Sequence, residues 1–362
     1  MRRPHTALLA AAAAALAVTA LPATALPATA APATAAPGAG GSRTPAAAQD
    51  FGATELGTLP GSATSHAYGV NDRGVAVGSC DAEGGSRPVL WRPDGTVRAL
   101  PTLPGDVSGT AYSLNDRHVL VGSTMGGDGV ERPVRWRGLG EPTALPGLPG
   151  SPRGRAYGIN ERGVTVGFSA TPDLVYQAMR WDAHGRPSRL RPLPGDHGSS
   201  ASEINNRGVA VGFSTSPEGR QRAVRWLPSG RPLPVGAPLP GDDSTQASWI
   251  NDRGQAVGNS FKAGFGLNSP YHAVRWNARG QAQPLPPLPG DTGSGAFGIN
   301  DDGVVVGFSY TPGGSFRAVR WDEHGQVSDL GPGWAFLVND EGVAVGHLTT
   351  AEGQERAARW RP

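Results

Sequence analysis

Cysteine occurs once in this sequence, at Cys80, so no disulfide can form within the chain. It follows a predicted strand, where an inert buried thiol is expected rather than a nucleophile. Lysine also occurs once, at Lys262, and Arg carries nearly all the positive charge. Two of the 32 basic residues, Arg2 and Arg3, precede position 37, and no acidic residue does; the remainder balances 30 basic against 30 acidic. A near-neutral chain without a basic block excludes general nucleic-acid binding. No apolar run beyond the N-terminal segment is long enough to span a bilayer. HExxH, CxxC, a GxGxxG that follows a strand, a Walker loop and a GxSxG elbow are all missing. Gly167-Phe168-Ser169, Gly212-Phe213-Ser214 and Gly307-Phe308-Ser309 look like nucleophile turns, but they recur at one repeat position and read as strand ends.

Gly and Pro are abundant instead, at 54 and 34 of 362 residues, which fits many tight turns between short strands. They punctuate a repeat. Its copies read GVNDRGVAVG from Gly69, SLNDRHVLVG from Ser113, GINERGVTVG from Gly158, EINNRGVAVG from Glu203, WINDRGQAVG from Trp249, GINDDGVVVG from Gly298 and LVNDEGVAVG from Leu337. Alternating residues on both sides of Asn-x-x-Gly predict a β-hairpin. Asn bonds backbone two residues on and Gly accepts positive φ, so a type I turn with a Gly bulge is expected. His118 replaces Gly in the second copy and should strain its turn. Four residues before each Asn stands Ala, from Ala67 to Ala335. Seven such small residues mean that this strand passes close to something.

The anchor asparagines are spaced by 44, 45, 45, 46, 49 and 39 residues, and a Trp follows each by 20 or 21, or by 25 in the fifth unit. A period near 45 with about four short strands per unit is the signature of propeller blades. In the sixth unit the expected strands are Ala296 to Asn300, Val304 to Phe308, Arg317 to Trp321 and Gln326 to Leu330. The last unit stops at Trp360-Arg361-Pro362, after a third strand, whereas Glu55 to Gly61 resembles a fourth strand and its exit loop. The reading is an all-β, seven-bladed propeller of four-stranded antiparallel blades. Residues about 55–59 complete the last blade, which buries two otherwise open ends.

The N-terminus has its own pattern. Arg2-Arg3, the apolar stretch from Ala7 to Ala20 and small-x-small sites such as Ala23-Thr24-Ala25 read as a secretory signal peptide within 1–36. Residues 37–50 read as a flexible Pro/Gly/Ala leader, and 51–362 as one propeller domain.

The columns A-x-x-[IVL]-N-x-x-G-x-x-V-G, the Arg-Ala-Val-Arg-Trp strand and the Leu-Pro-Gly exit together resemble the HAF-type extracellular repeat family of bacterial secreted proteins. His272-Ala273-Val274 is nearest to the family's His-Ala-Phe triplet; Arg and Val replace His and Phe in most copies. The resemblance covers 51–362 and implies export and a propeller-like β fold. It transfers no catalytic residues.

A residue repeated in every blade serves the blade, and sites are grafted where the repeat breaks. The asparagines are therefore expected to cap their own turns or bond the neighbouring blade's backbone, and the tryptophans to pack between blades. The Arg before Trp is expected to pair with carboxylates such as Asp72 or Asp301, or to cover apolar surface with its stem. Trp249 and Trp334 stand off the pattern, as the aromatics of an exposed stacking platform for sugars would; local packing is the simpler role. Candidate binding residues lie in two places. The exit loops carry Asp106, Asp196, His197, Asp242, Asp243 and Asp291, whose carboxylates would hold Ca²⁺ or a basic ligand if they converged; otherwise no cofactor is expected. The fifth connector, Asn259 to His272, is longer than its counterparts and holds Phe261, Lys262, Phe265 and Tyr271, a contact surface or a rim-packed insertion. The functional expectation is a secreted, monomeric, non-enzymatic binding module for a glycan, cell-wall component or protein. The alternatives are an extracellular hydrolase or lyase acting on a polymer, and a purely structural surface protein. An enzyme requires an off-pattern carboxylate cluster, or a His with a carboxylate, in a central pocket. A binding module requires an exposed aromatic patch.

Overall fold

The structure, a computed structural model, describes residues 52–151, 153–263 and 271–362. Every regular element among them is a β-strand, so none of the described residues forms a helix able to cross a membrane. The predicted signal peptide and leader lie outside the described residues.

Seven antiparallel blades form a closed ring. Blade 1 is typical: Ser65–Val70, Ala76–Ala82, Gly85–Trp91 and Val97–Ala99 pair in chain order. The first strand of each blade contacts the first strands of both neighbours, which places these seven strands innermost around the axis. Blades 6 and 7 share one seven-stranded sheet. Its long strand, Val327–Val338, pairs first with Phe316–Trp321 as a fourth strand and then with Ala344–Thr349 as a first strand. The short Gly331-Pro332-Gly333 link leaves no room for the usual exit loop. The ring closes where Ala53–Glu55 pairs with Glu355–Trp360, slightly before the expected 55–59. Leu56 extends the pairing through its N–H to Ala357 O at 2.8 Å and buries its side chain.

The hairpin turns have the expected bonds. Gly303 N–H donates to Asn300 O at 3.1 Å and Asn300 N–H to Val304 O at 3.0 Å, with Gly303 at φ +84°. His118 holds φ +55° at the equivalent place. Each first strand then bulges. The register slips between the invariant Ala and the residue two further on, as at Ala67/Gly69 and Ala296/Gly298. The bulge brings the first strand onto the second so closely that a Cβ on Gly307 would stand 1.9 Å from Gly295 O. That explains the Gly of the Val-Gly pair and the fully buried Ala beside it.

The repeated side chains tie each blade to the next. The seven tryptophans of the repeat are at most 1% exposed. Six donate their indole N–H to the chain leaving the preceding blade, as Trp181 does to Pro146 O at 2.7 Å. Trp276 is the exception: its Nε1 has no partner. The Arg before Trp works in the opposite direction, and not through carboxylates as expected. Arg135 donates to Ala183 O, Gly163 O, Asp182 O and Thr165 Oγ1 of blade 3. Arg180, Arg225, Arg275 and Arg359 reach backbone carbonyls of their next blades similarly. A planar fork of donors suits several converging carbonyls, which a single carboxylate would not.

Candidate functional site at the axis

The exit-loop carboxylates do not meet one another. Each closes its own blade. Asp291 accepts from Ser309 Oγ at 2.5 Å, 18 residues on, and from Arg317 Nη2 at 3.1 Å, 26 residues on. Asp106 uses Thr124 and Arg132 at the same spacings, and Asp196 uses Ser214 and Arg222. In blade 5, Asp242 accepts from Ser260 at 2.7 Å and faces His272 Nδ1 at 2.9 Å. These four carboxylate side chains are at most 5% exposed. The hydroxyl and the cation stand on the second and third strands and the Asp at or just before the first, so the motif staples one sheet. Asp243 accepts instead from Ala263 N–H at 2.7 Å. His197 is exposed, and its backbone bonds Thr215 and Gln177. Phe261 and Tyr271 pack on each other with centroids 5.2 Å apart, both half-buried, and Lys262 is exposed beside them. Phe265 lies outside the described residues.

The Asn turns build one end of the axis. Each Asn Oδ1 accepts from the backbone of its own turn, as from Val304 N–H at 2.9 Å. Each Nδ2 donates to the Asn carbonyl of the next blade, and the series returns from Asn339 to Asn71 O at 2.8 Å. Both expected roles therefore hold at once. A second ring lies beside it. The N–H of Asp72 meets the carboxylate of Asp116, and the pattern runs through Glu161, Asn206, Asp252, Asp301 and Asp340 back to Asp72. Burial, reinforced by the neighbouring carboxylates, raises the pKa of Asp72, Asp301 and Asp340. These rings surround a cavity of about 150 Å³. Glu203 also lines it, at a position where other blades carry Gly, Ser113, Trp249 or Leu337. Its Oε1 accepts from Ile204 N–H at 2.8 Å, and its buried Oε2 has no partner.

Further along the axis, the bulged residues face one another. Phe297, Phe336, Tyr68, Tyr112 and Tyr157 make ring contacts from blade to blade at 5.3–5.8 Å. In blades 4 and 5 the arc breaks at Ser202 and Ser248, whose hydroxyls are buried without partners.

The loop-rich end of the axis is where the blades differ. Three positions define each seam between blades: the residue five before Trp, the residue after Val-Gly, and, from the next blade, the residue before the invariant Ala. The seam of blades 1 and 2 holds Ser86, Ser79 and Thr110, and that of 2 and 3 holds Glu131, Ser123 and Arg155. There Arg155 Nε and Ser123 Oγ each donate to Glu131 at 2.6 Å. Tyr176, Phe168 and Ser200 follow, then Gln221, Phe213 and Gln246, with the two amides hydrogen-bonded to each other. The next holds Tyr271, Asn259 and Gly295, where Asn259 Oδ1 accepts from Ala296 N–H at 3.1 Å. The seam of blades 6 and 7 is wholly aromatic. Trp334 lies 4.8 Å from Phe308 and 5.1 Å from Phe316, and Phe316 is 37% exposed.

The seam of blades 7 and 1 holds Glu355, His347 and His66. His66 Nε2 is 2.7 Å from Glu355 Oε2, and His347 Nε2 is 3.8 Å from Glu355 Oε1. The imidazoles meet edge to face at 4.9 Å, and His347 also stacks on Trp334 at 6.0 Å. Burial, with the His66 charge, pushes the His347 pKa down to about 4. The hydrogen bond from His66 holds Glu355 below the usual carboxylate range. The sequence reading missed this seam, and of the two roles it weighed for Trp334, sugar stacking and local packing, it favoured packing. Comparing the seven residues before the invariant Ala would have exposed it, because no two blades with a charged or aromatic residue there agree.

No protein-family model and no curated protein matches the chain. Solved structures do. A streptogramin B lyase is 12% identical with a TM-score of 0.55, over 86% of this chain and 99% of its own. An oligogalacturonate lyase from Vibrio parahaemolyticus is 11% identical with a TM-score of 0.59, over 85% and 93%. The β-propeller domain of the Trilobed protease from Pyrococcus furiosus is 11% identical with a TM-score of 0.56, over 82% and 95%. At these identities the likeness defines the class: the chain is a β-propeller protein. That last domain is described as having an open velcro topology, whereas here Ala53–Glu55 closes the ring.

Proposed function

We propose that this propeller is an exported, non-enzymatic binding module whose ligand lies across the loop-rich end of the axis. The observation that carries the reading is the Phe308–Phe316–Trp334 stack, in which the off-pattern Trp334 and the solvent-open Phe316 pack on the buried Phe308. Aromatic faces bind the apolar faces of sugar rings, and the neighbouring seam adds the donors and acceptors of His66 and Glu355. A glycan or cell-wall saccharide is the ligand class this combination fits best. The basic start, apolar stretch and small-x-small sites within 1–36 support export, and the repeat columns support HAF-type repeats. The test is a glycan array probed with wild type, Phe316→Ala and Phe316→Tyr. Binding by wild type and Phe316→Tyr, lost in Phe316→Ala, is expected. No binding to any glycan would overturn the saccharide reading.

One observation favours a second reading, a hydrolase or lyase acting on an extracellular polymer. His66 and Glu355 form an accessible base–carboxylate pair at 2.7 Å. Polysaccharide turnover by wild type, abolished in Glu355→Gln with the fold intact, would select it.

A further inference from the structure

We propose that His66, His347 and Glu355 form a zinc site that bridges the closing seam of the propeller. It rests on the ligand geometry alone and stands whether or not the saccharide reading holds.

One ligating atom from each of the three side chains lies within 4.8 Å of the others, and among the described residues no other such group of three occurs. Zn²⁺ takes imidazole nitrogen at about 2.0–2.1 Å and carboxylate oxygen at about 2.0–2.2 Å, so neighbouring ligands in a tetrahedral shell stand about 3.3 Å apart. The His66–Glu355 and His347–Glu355 separations, 2.7 and 3.8 Å, bracket that figure. The remaining separation, between the two imidazoles, is at most 4.8 Å. Two imidazoles with one carboxylate suit zinc rather than Ca²⁺ or Mg²⁺, which prefer all-oxygen shells.

A second observation points the same way. His347 is 5% exposed, its Nδ1 is buried without a hydrogen-bond partner, and its Nε2 comes no nearer than 3.8 Å to the carboxylate. Neither ring nitrogen has a protein hydrogen bond, and an ion shared with Glu355 would engage Nε2, the nitrogen that faces the carboxylate. At the seam of blades 2 and 3 the same positions hold Glu131, Ser123 and Arg155, which satisfy each other directly. Only the seam of blades 7 and 1 pairs its carboxylate with two groups that can ligate a metal. The ion's route is open, since the Glu355 side chain is 47% exposed and that of His66 is 22% exposed. Three protein ligands leave the fourth zinc position for water or a ligand group.

His66 belongs to blade 1, and His347 and Glu355 to blade 7, so a bound ion ties together the two ends of the ring. Metal that binds only the folded chain stabilises it by mass action. The test is calorimetric titration of the metal-stripped 362-residue chain with Zn²⁺, parallel absorption with Co²⁺, and thermal melts with and without Zn²⁺. The expected result is one Zn²⁺ per chain, visible bands of tetrahedral Co²⁺ and a higher Tm with zinc. His66→Gln and Glu355→Gln, both at partly exposed positions, should each weaken zinc at least tenfold while keeping the β-sheet circular dichroism of wild type. Wild type that takes up no metal, or variants that bind it with unchanged affinity, would overturn the site. Phe316→Ala separates this from the saccharide reading, since it should abolish glycan binding and leave zinc affinity unchanged.

Discussion

Replacing Glu203 by Gln should stabilise the protein, and only above a definite pH. The carboxyl group is 3% exposed, takes one hydrogen bond from its neighbour's N–H and leaves Oε2 unpartnered. Burial is the dominant influence and pushes its pKa from the usual 4.5 up to about 8. Below pH 4.5 both folded and unfolded chains carry the proton, and the group has no pH-dependent effect. Between 4.5 and 8 the unfolded chain has released a proton that the folded chain keeps, so stability falls as pH rises. Above 8 the loss is complete. Each pH unit across that window is worth about 1.4 kcal/mol, so the whole loss is on the order of 5 kcal/mol. Gln has the same shape and no charge to bury, so it escapes the loss. The assay is urea unfolding at pH 4.5, 6, 7.5 and 9, followed by the fluorescence of the seven buried tryptophans. Wild type and Glu203→Gln should nearly coincide at pH 4.5 and separate steadily until the variant leads by several kcal/mol at pH 9. Curves that stay parallel across the range would refute the buried, unpaired carboxyl.

Three further outcomes follow from the scaffold. Trp181→Phe should cost about 1 kcal/mol more than Trp276→Phe, because Trp181 loses an indole hydrogen bond at 2.7 Å and Trp276 has none to lose; chemical denaturation of both variants checks it. Arg135→Lys should cost about 1–3 kcal/mol, since an ammonium cannot reach the three carbonyls and the Thr165 hydroxyl that the guanidinium bridges, and equal melting of the two proteins would sink that account. Deleting residues 51–60 should lower the Tm markedly. It removes the buried Leu56, worth about 2–5 kcal/mol on truncation, and exposes the edge of Glu355–Trp360; an unchanged Tm would refute ring closure.

The fold was legible in the sequence because every blade states the same local rules. Asn and Gly specify the turn, Ala and Gly the close approach of two strands, and Trp the contact with the preceding blade. Even the closure was visible, as a fourth strand displaced to the start. Roles that depend on which neighbour lies within reach were harder. The Arg before Trp was expected to seek carboxylates, yet the next blade presents carbonyls there. The exit-loop Asp looked like a ligand, although its partners recur in sequence at 18 and 26 residues and mark a staple within one sheet.

The seams escaped for a different reason. Each combines two strands of one blade with one strand of the next, and at the closing seam His66 and Glu355 are 289 residues apart. A single repeat contains no such triplet, so reading one unit at a time cannot find it. The scaffold nevertheless dictates where variation is tolerated. Turn Asn, inner Ala, Val-Gly and Trp are each bound to a partner in the same or the adjoining blade, so changing one disturbs a ring of seven. The three seam positions stand outside those rings, although His66, Phe168, Phe308 and His347 also touch the aromatic arc. A change there alters one seam's chemistry without removing a hydrogen bond of the sevenfold Asn ring. A Ser–Ser–Thr seam, a salt-bridged seam, a paired-amide seam, an aromatic seam and a His–His–Glu seam therefore coexist on one frame. The aromatic and His–His–Glu seams are adjacent, in contact through Trp334 and His347, so the ligand proposed above would meet two unlike seams side by side.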